Sequence, residues 1–177
     1  MIEYGYHGTS MESAASILES GIMKRSEGYD EWLGKGIYFF YNQKDAEWWC
    51  QQRAYPSPAI LYADFNFINK VINLVYDYND QEKFKEYCSA VKEKSEKLPG
   101  GKRRRNYMQL AINKLLYDAK KAEVFIDAII AVFDENRKFW PKTGNFVVKF
   151  PILIGQIQIC IFNSETINNL KIINEEA

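Results

Sequence analysis

The sequence predicts an α+β domain whose strands come from both ends of the chain and whose helices gather in the middle. Three observations carry this reading. Aromatic and β-branched blocks fill the first third, highly charged amphipathic stretches fill the centre, and apolar blocks such as "DAIIAVF" and "QIQICIF" return in the last third. With 177 residues and an apolar share of 47%, the chain is read as one domain over 1–177 with an ample core.

In order along the chain, residues 3–7, "EYGYH", are aromatic-rich and run into Gly8, the pattern of a short strand ending in a turn. Ser10 is placed to cap a helix that Gly21 ends, with Met11, Ala14, Ala15 and Leu18 on one face. "KRSEGYDEW" is polar, holds Gly28 and reads as a loop. "GKGIYFFY" has the content of a buried strand, and "QKDAEWWCQQRAY" that of a helix stopped by Pro56 and Pro58. "AILYADFNFI" is a further strand, while "KVINLVYDY" fits more than one state. From Asp80 to Leu98 the chain is charged, with Phe84, Tyr87, Cys88 and Val91 on one helical stripe, until Pro99, Gly100 and Gly101 break it. "NYMQLAINKLLYDAKKAE" then turns Met108, Ile112, Leu115 and Leu116 inward. These two helices form a helical insertion at about 78–122 on a sheet-based core. "DAIIAVF", "NFVVKF" and "ILIGQIQICIFN" supply the remaining strands, with no repeat and no low-complexity tract.

Lysine plus arginine equals aspartate plus glutamate at 23 each, so the chain as a whole has no strong field to steer it to nucleic acid or anionic lipid, and any such binding is local. Three cysteines without CxxC spacing and a single histidine do not make a zinc site, so no metal is expected. "MIEYGY" lacks the pattern of a secretion signal, and the apolar block "VFIDAIIAVF" is interrupted by Asp127 and shorter than the ~18 residues of a membrane span. A cytoplasmic protein with no membrane partner is expected.

The one histidine, His7, lies in "EYGYHGTS". Gly8 after it lets a ligand approach the backbone, and the Thr9 hydroxyl can order the turn. Thirty residues on, "WLGKGIYFF" puts two glycines just before Tyr38. A histidine and a tyrosine at the ends of two core strands, each flanked by glycine, can face one another across a cleft. The plain alternative for His7 is a half-buried ring hydrogen-bonded to backbone.

"YHGTS", "AASILESGI", "WLGKGIYFF" and "AEWW", in this order and spacing, resemble the NAD-dependent ADP-ribosyltransferases of the diphtheria-toxin and poly(ADP-ribose) polymerase type. The resemblance spans residues 4–50 and resumes at about 153–173, with 70–140 outside it. It implies a split mixed or antiparallel sheet with flanking helices, NAD as co-substrate, and a site of His7, Tyr38 and Gln158. His7 would donate a hydrogen bond to the adenine-side ribose, Gly8, Thr9, Gly36 and Gln156 would line the NAD site, and Gly8 backbone groups would hold the carboxamide. Tyr38 would stack on the nicotinamide, with Trp48 on the other side of the same ring, a favourable surround for a cationic ring. Relatives carry a glutamate on a late strand, often as E/Q-x-E. Here that strand reads "IGQIQICIF", with Gln156 and Gln158 on one face by alternation and Gln158 at the glutamate position. Losing that carboxylate costs on the order of 3 kcal/mol of transition-state stabilisation. Single ADP-ribose transfer resting on positioning, a carboxylate brought in from Asp64 or Glu165, or a silent NAD-binding domain remain open, as does a polar face on an edge strand for both glutamines.

The acceptor implied is a macromolecule, RNA or DNA slightly ahead of protein, because Lys102, Arg103, Arg104 and Arg105 form a basic run beside Tyr107 that could grip phosphates. The small size looks like a bacterial or phage-related toxin or defence effector, for which an antitoxin or immunity partner is expected. RNA 2'-phosphotransfer is the alternative chemistry of the same fold.

Overall fold

A computed structural model of the chain describes residues 2–28, 31–96, 107–133 and 155–173. Among them, seven strands form one mixed sheet: β1 (Tyr4–Ser10), β2 (Ile37–Phe40), β3 (Pro58–Phe65), β4 (Lys70–Asn73), β5 (Ile126–Phe133), β6 (Gln156–Ile161) and β7 (Ile167–Ile173). Their spatial order is β4-β5-β6-β2-β1-β3-β7, with β4 and β5 parallel and every other neighbouring pair antiparallel. Four helices join them: α1 (Met11–Ser20), α2 (Gln43–Gln52), α3 (Tyr78–Glu96) and α4 (Tyr107–Lys121). The expected α+β class is what is observed.

Strand alternation divides the side chains between two cores. Ile37 and Phe39 of β2, Leu61 and Ala63 of β3, and Ile157, Ile159 and Ile161 of β6 pack on one face against Ala14 and Ile17 of α1. On the other face, Ile72, Ile129, Ala131 and Cys160 meet Phe84 of α3 and Ala111, Ile112 and Leu115 of α4. The helical pair from the middle of the chain is thus a cover for the β4-β5-β6 half of the sheet. Each of its large apolar side chains, buried as fully as Ile112, contributes about 1.5–3 kcal/mol. α2 covers the same face farther along, with Ala46 and Cys50 packed on Phe40 and Ile60.

The start and stop of α1 follow the sequence signals. Ser10 Oγ accepts from Ser13 N at 3.2 Å, and Gly21, at φ 68°, donates its N–H to Ile17 O at 2.8 Å. The buried stripe differs from the expected one. Met11 and Leu18 are 43% and 40% exposed, and Ala14 and Ile17 make the contact instead, because the small Ala14 lets the helix lie close on the sheet. The ambiguous "KVINLVYDY" divides into β4 and a turn in which the Asn73 side chain accepts from Val75 N and Tyr76 N, both at 3.0 Å. β7 carries no clean period-2 signal because Asn169 adopts φ 51° and the pairing with β3 shifts between Tyr62 and Asp64. "NFVVKF" lies outside the described residues.

One buried carboxylate ties the connections together. Asp127 of β5 is 1% exposed; its Oδ2 accepts from Ile68 N at 2.8 Å and Asn69 N at 2.6 Å, and its Oδ1 from the Asn69 and Asn163 side-chain amides, both at 3.0 Å. Burial pushes its pKa up, but these donors outweigh burial and the net shift is downward. A carboxyl depressed in the folded state stabilises above its unfolded value, about 3.9, and that stability is lost as pH falls through the folded value. Asp127→Ala, which leaves these amide donors unpaired, should therefore lower stability by about 1–3 kcal/mol at pH 7, read by urea melts, with the gap to the parent closing in acid.

Candidate active site

β1 pairs with β3 along its whole length, and β2 pairs with β6 from Ile37 to Phe40, but β1 and β2 are in register only where Tyr6 faces Phe40. Beyond that point a side chain closes the seam. His7 Nδ1 lies 2.8 Å from the carbonyl oxygen of Tyr38. A carbonyl only accepts, so Nδ1 carries the hydrogen. Burial holds the imidazole below the usual histidine range, against a smaller upward pull from that hydrogen bond, which keeps the ring neutral. Nε2 is then a bare lone pair. The expected ring donor to a ribose is corrected: His7 offers an outside ligand an acceptor, and a hydroxyl would have to donate to it.

His7 opens on a cleft of about 430 Å³. Thr9 of β1, Glu12, Ser13 and Ser16 of α1, and Lys24 beyond it complete its polar lining, with Ile17, Ile22 and Met23 as apolar wall. Among these side chains are three hydroxyls, a carboxylate, an ammonium and an acceptor imidazole, a set suited to a polyhydroxylated ligand with one anionic group. The sequence reading missed the α1 contribution. Its signal is the spacing of Glu12, Ser13 and Ser16, i to i+4 and so about one turn of helix on the face beside His7.

Tyr38 leaves β2 on the opposite face from His7, since the His7 ring meets Phe39 at 5.6 Å while Tyr38 pairs beside Cys160. Its hydroxyl is engaged by the turn ahead of its own strand, accepting from Leu33 N at 3.0 Å and donating to Gly34 O at 2.8 Å. Burial raises the phenol pKa strongly, with the nearby Cys160 and Glu31 acting the same way. Gln158 shares that face, opposite Phe40 and only 6% exposed, and its Oε1 accepts from the Trp32 indole N–H at 2.7 Å. Gln156, two residues earlier, carries a buried Oε1 with no hydrogen-bond partner among the described residues. β6 lies between β5 and β2, so the glutamines are not the outer face of an edge strand.

The structure brings Tyr38 and Gln158 to one face of adjacent strands and ties His7 to the Tyr38 backbone, but His7 and Gln158 leave the sheet on opposite faces. The glycines have a structural task. A Cβ on Gly8 would lie 2.4 Å from Ala46 O and 2.9 Å from Cys50 Sγ, and one on Gly36 would lie 2.4 Å from Cys160 Sγ. Their bare Cα atoms admit α2 and β6, where the sequence suggested that they admit a ligand. On α2, Trp49 packs near Phe40 at 6.3 Å with Arg53 4.9 Å over its ring, and the half-buried Trp48 is its neighbour. Asp64 is held by the Tyr62 hydroxyl at 2.5 Å and Asn169 at 2.9 Å, and Glu165 is exposed beyond the far end of β6, so neither replaces the missing glutamate beside Gln158. Lys102, Arg103, Arg104 and Arg105 lie outside the described residues. Among the described residues no group of three or more His, Cys, Asp or Glu side chains is placed to hold a metal ion, and no helix is long and apolar enough to cross a membrane.

No protein-family model matches the chain. No solved structure matches it either. One relative, an uncharacterized protein of Methanocaldococcus jannaschii, is 46% identical over 44 residues, which is 25% of this chain and 21% of that protein. The chain therefore matches about a fifth of that relative's length.

The two roles of His7 separate by substitution. His7→Asn retains a donor near the Nδ1 position and should cost less than about 1 kcal/mol, whereas His7→Ala leaves the Tyr38 carbonyl unpaired and should cost about 1–3 kcal/mol in chemical denaturation. The native ring resists protonation that the unfolded chain accepts below about pH 6.5, so the parent should lose stability as pH drops from there toward the folded value. That component should be missing from both variants.

Proposed function

We propose that the chain is a mono-ADP-ribosyltransferase built on a split ADP-ribosyltransferase-like sheet, with NAD as co-substrate and no metal. The observation that supports it is the strand order β6-β2-β1, by which Gln158, Tyr38 and His7, drawn from both ends of the chain, lie on three neighbouring strands, with β1 and β2 in register only at Tyr6 and Phe40. The cleft beside His7 has the size of a nucleoside site rather than of a whole dinucleotide. The adenosine half would sit there, with a ribose hydroxyl donating to His7 Nε2 and the hydroxyls of Thr9, Ser13 and Ser16 within the same lining. For the nicotinamide end to reach Tyr38 and Gln158, on the opposite face of the sheet, the His7–Tyr38 bond that closes the seam has to open. The C–N glycosidic bond breaks with its electron pair leaving on the nicotinamide nitrogen, and an acceptor nucleophile bonds the exposed ribose carbon and releases its proton. Gln158 holds a ribose hydroxyl without lending charge, so orientation carries more of the rate than in a glutamate enzyme. An RNA or DNA acceptor is favoured over protein, in the setting of a cytoplasmic bacterial or phage-related toxin or defence effector with an antitoxin-type partner.

A second reading, a domain that binds NAD or ADP-ribose without chemistry, draws on one observation: the polar groups of Tyr38 and Gln158 are already engaged by Leu33, Gly34 and Trp32. RNA 2'-phosphotransfer has less behind it, because among the described residues Lys24 is the cation lining the cleft.

Incubation of the protein with NAD and cell lysate, followed by nicotinamide release, decides between them. Release is expected from the parent, lost in His7→Asn by at least tenfold, and raised in Gln158→Glu, which restores the charge. NAD binding by calorimetry with no release in either parent or Gln158→Glu would leave the silent domain. Affinity should also weaken as pH falls through the folded pKa of His7, since protonated Nε2 no longer accepts.

A further inference from the structure

We propose that the outer face of β1 and β3 is a docking track for single-stranded nucleic acid, whose bases stack on a row of tyrosines. Tyr4 stacks on Tyr41 at 5.5 Å and 26° and on Tyr62 at 5.9 Å and 21°, while Tyr6 meets Tyr4 and Tyr62 edge-on at 6.0 and 5.7 Å. The row runs across the strands, from the end of β2 over β1 to β3. All four rings are half-buried, so each keeps surface in solvent. Tyr41 packs against the first core and Tyr6 against the Phe40–Ile60 cluster beneath α2, whereas Tyr4 and Tyr62 belong to none of the three clusters.

Cations flank the row. Lys171 of β7 places its ammonium 4.9 Å from the Tyr62 ring centre, and Arg53, beyond α2, lies 4.9 Å over Trp49, in the cluster that Tyr6 joins. Asp64, opposite Tyr4, accepts from the Tyr62 hydroxyl and the Asn169 amide and stays ionised, its charge offset by the nearby Lys171. Aromatic rings that accept any base, with Lys171 at the Tyr62 end and Arg53 beside α2 for the phosphates, are the chemistry of sequence-tolerant single-strand binding. Duplex bases are stacked on one another and have no free face to give. The row also starts beside the candidate centre: Tyr41 N donates to Ile157 O at 3.0 Å, one residue from Gln158. If the transferase reading holds, a strand lying on the row passes the site as its acceptor; the track itself does not need that reading.

The test is fluorescence polarisation of the full chain, without NAD, against labelled oligo(U), oligo(dT) and a duplex, each of about 12 units, a length within the span of one such site. Single strands should bind and the duplex should bind at least tenfold more weakly. Tyr4→Ala and Tyr62→Ala should each weaken binding by about tenfold, with Tyr62→Trp close to the parent. Lys171→Gln should lower the slope of log affinity against log salt by about 0.7, the loss of one phosphate contact on a single strand. Circular-dichroism melts identify any variant that fails to fold, and the Trp variant then carries the comparison. The proposal is overturned if no strand binds, if the alanine and tryptophan variants bind as the parent does while neutralising Lys102 to Arg105 abolishes binding, or if sedimentation shows that the tyrosines hold two copies of the chain together. Because nicotinamide release plays no part, strand binding by a protein that never releases nicotinamide keeps the track and removes the transferase, and release without strand binding does the reverse.

Discussion

A single side-chain bond, from the His7 imidazole to the Tyr38 carbonyl, bridges a sheet that is otherwise nearly two sheets. On one side, β4, β5, β6 and β2 pair closely and rest on α3 and α4; on the other, β1, β3 and β7 form a separate ladder. Backbone pairing between the halves lapses after Tyr6 and Phe40. An aliphatic residue at position 7 would leave the Tyr38 carbonyl without this partner, and an ionised one would carry charge into a buried place. A neutral imidazole satisfies the carbonyl with one nitrogen and leaves the other free. That division of labour explains why the only histidine in the chain sits here better than either a structural or a ligand-binding task alone.

The two faces of the seam differ in how their polar groups are satisfied. On one face, the Tyr38 hydroxyl and Gln158 Oε1 are met internally by the turn at 31–34, and Gln156 Oε1 is orphaned among the described residues. Around His7 the hydroxyls of α1 stand at a cleft. A buried orphan such as Gln156 Oε1 has a cost of about 1–3 kcal/mol, which a folded chain retains where a partner arrives from outside or where its neighbours shift. Leu33, fully buried in the second core, anchors the turn that engages Tyr38. Access to Gln158 is therefore a question of how Trp32 moves, more than of how Gln158 does.

Much of the fold was legible because local signals and tertiary demands agree. Ser10 and Gly21 delimit α1, Pro56 and Pro58 follow α2, and the alternating "QIQICI" is an interior strand with both glutamines on one face. The misses have physical causes. α1 turns Ala14 rather than Met11 to the sheet because close approach was worth more than bulk. β7 hides behind Asn169, whose left-handed backbone breaks the alternation that marks a strand. At the site, the flanking glycines suggested that His7 and Tyr38 face one another across a cleft, but period-2 reasoning within each strand cannot tell which residues of two strands share a face. That needs the register, and the register puts Phe39, not Tyr38, beside the imidazole. The glycines illustrate the same limit: a bare Cα reads identically whether a ligand or another backbone occupies the space.

The strand order also bears on how the chain can assemble. β2 lies between β1 and β6, and β3 between β1 and β7, so each half of the sheet waits for a strand from the last part of the sequence. During synthesis the first two-thirds of the chain can pair β1 with β3, yet β2 and β3 each keep one edge open until residues 156 to 173 arrive. The strand that brings Gln158 is thus also the strand that closes the centre of the sheet. Completion of the fold and completion of the candidate site are the same late event, and a chain stopped short of it would expose both an unpaired strand edge and an unfinished seam.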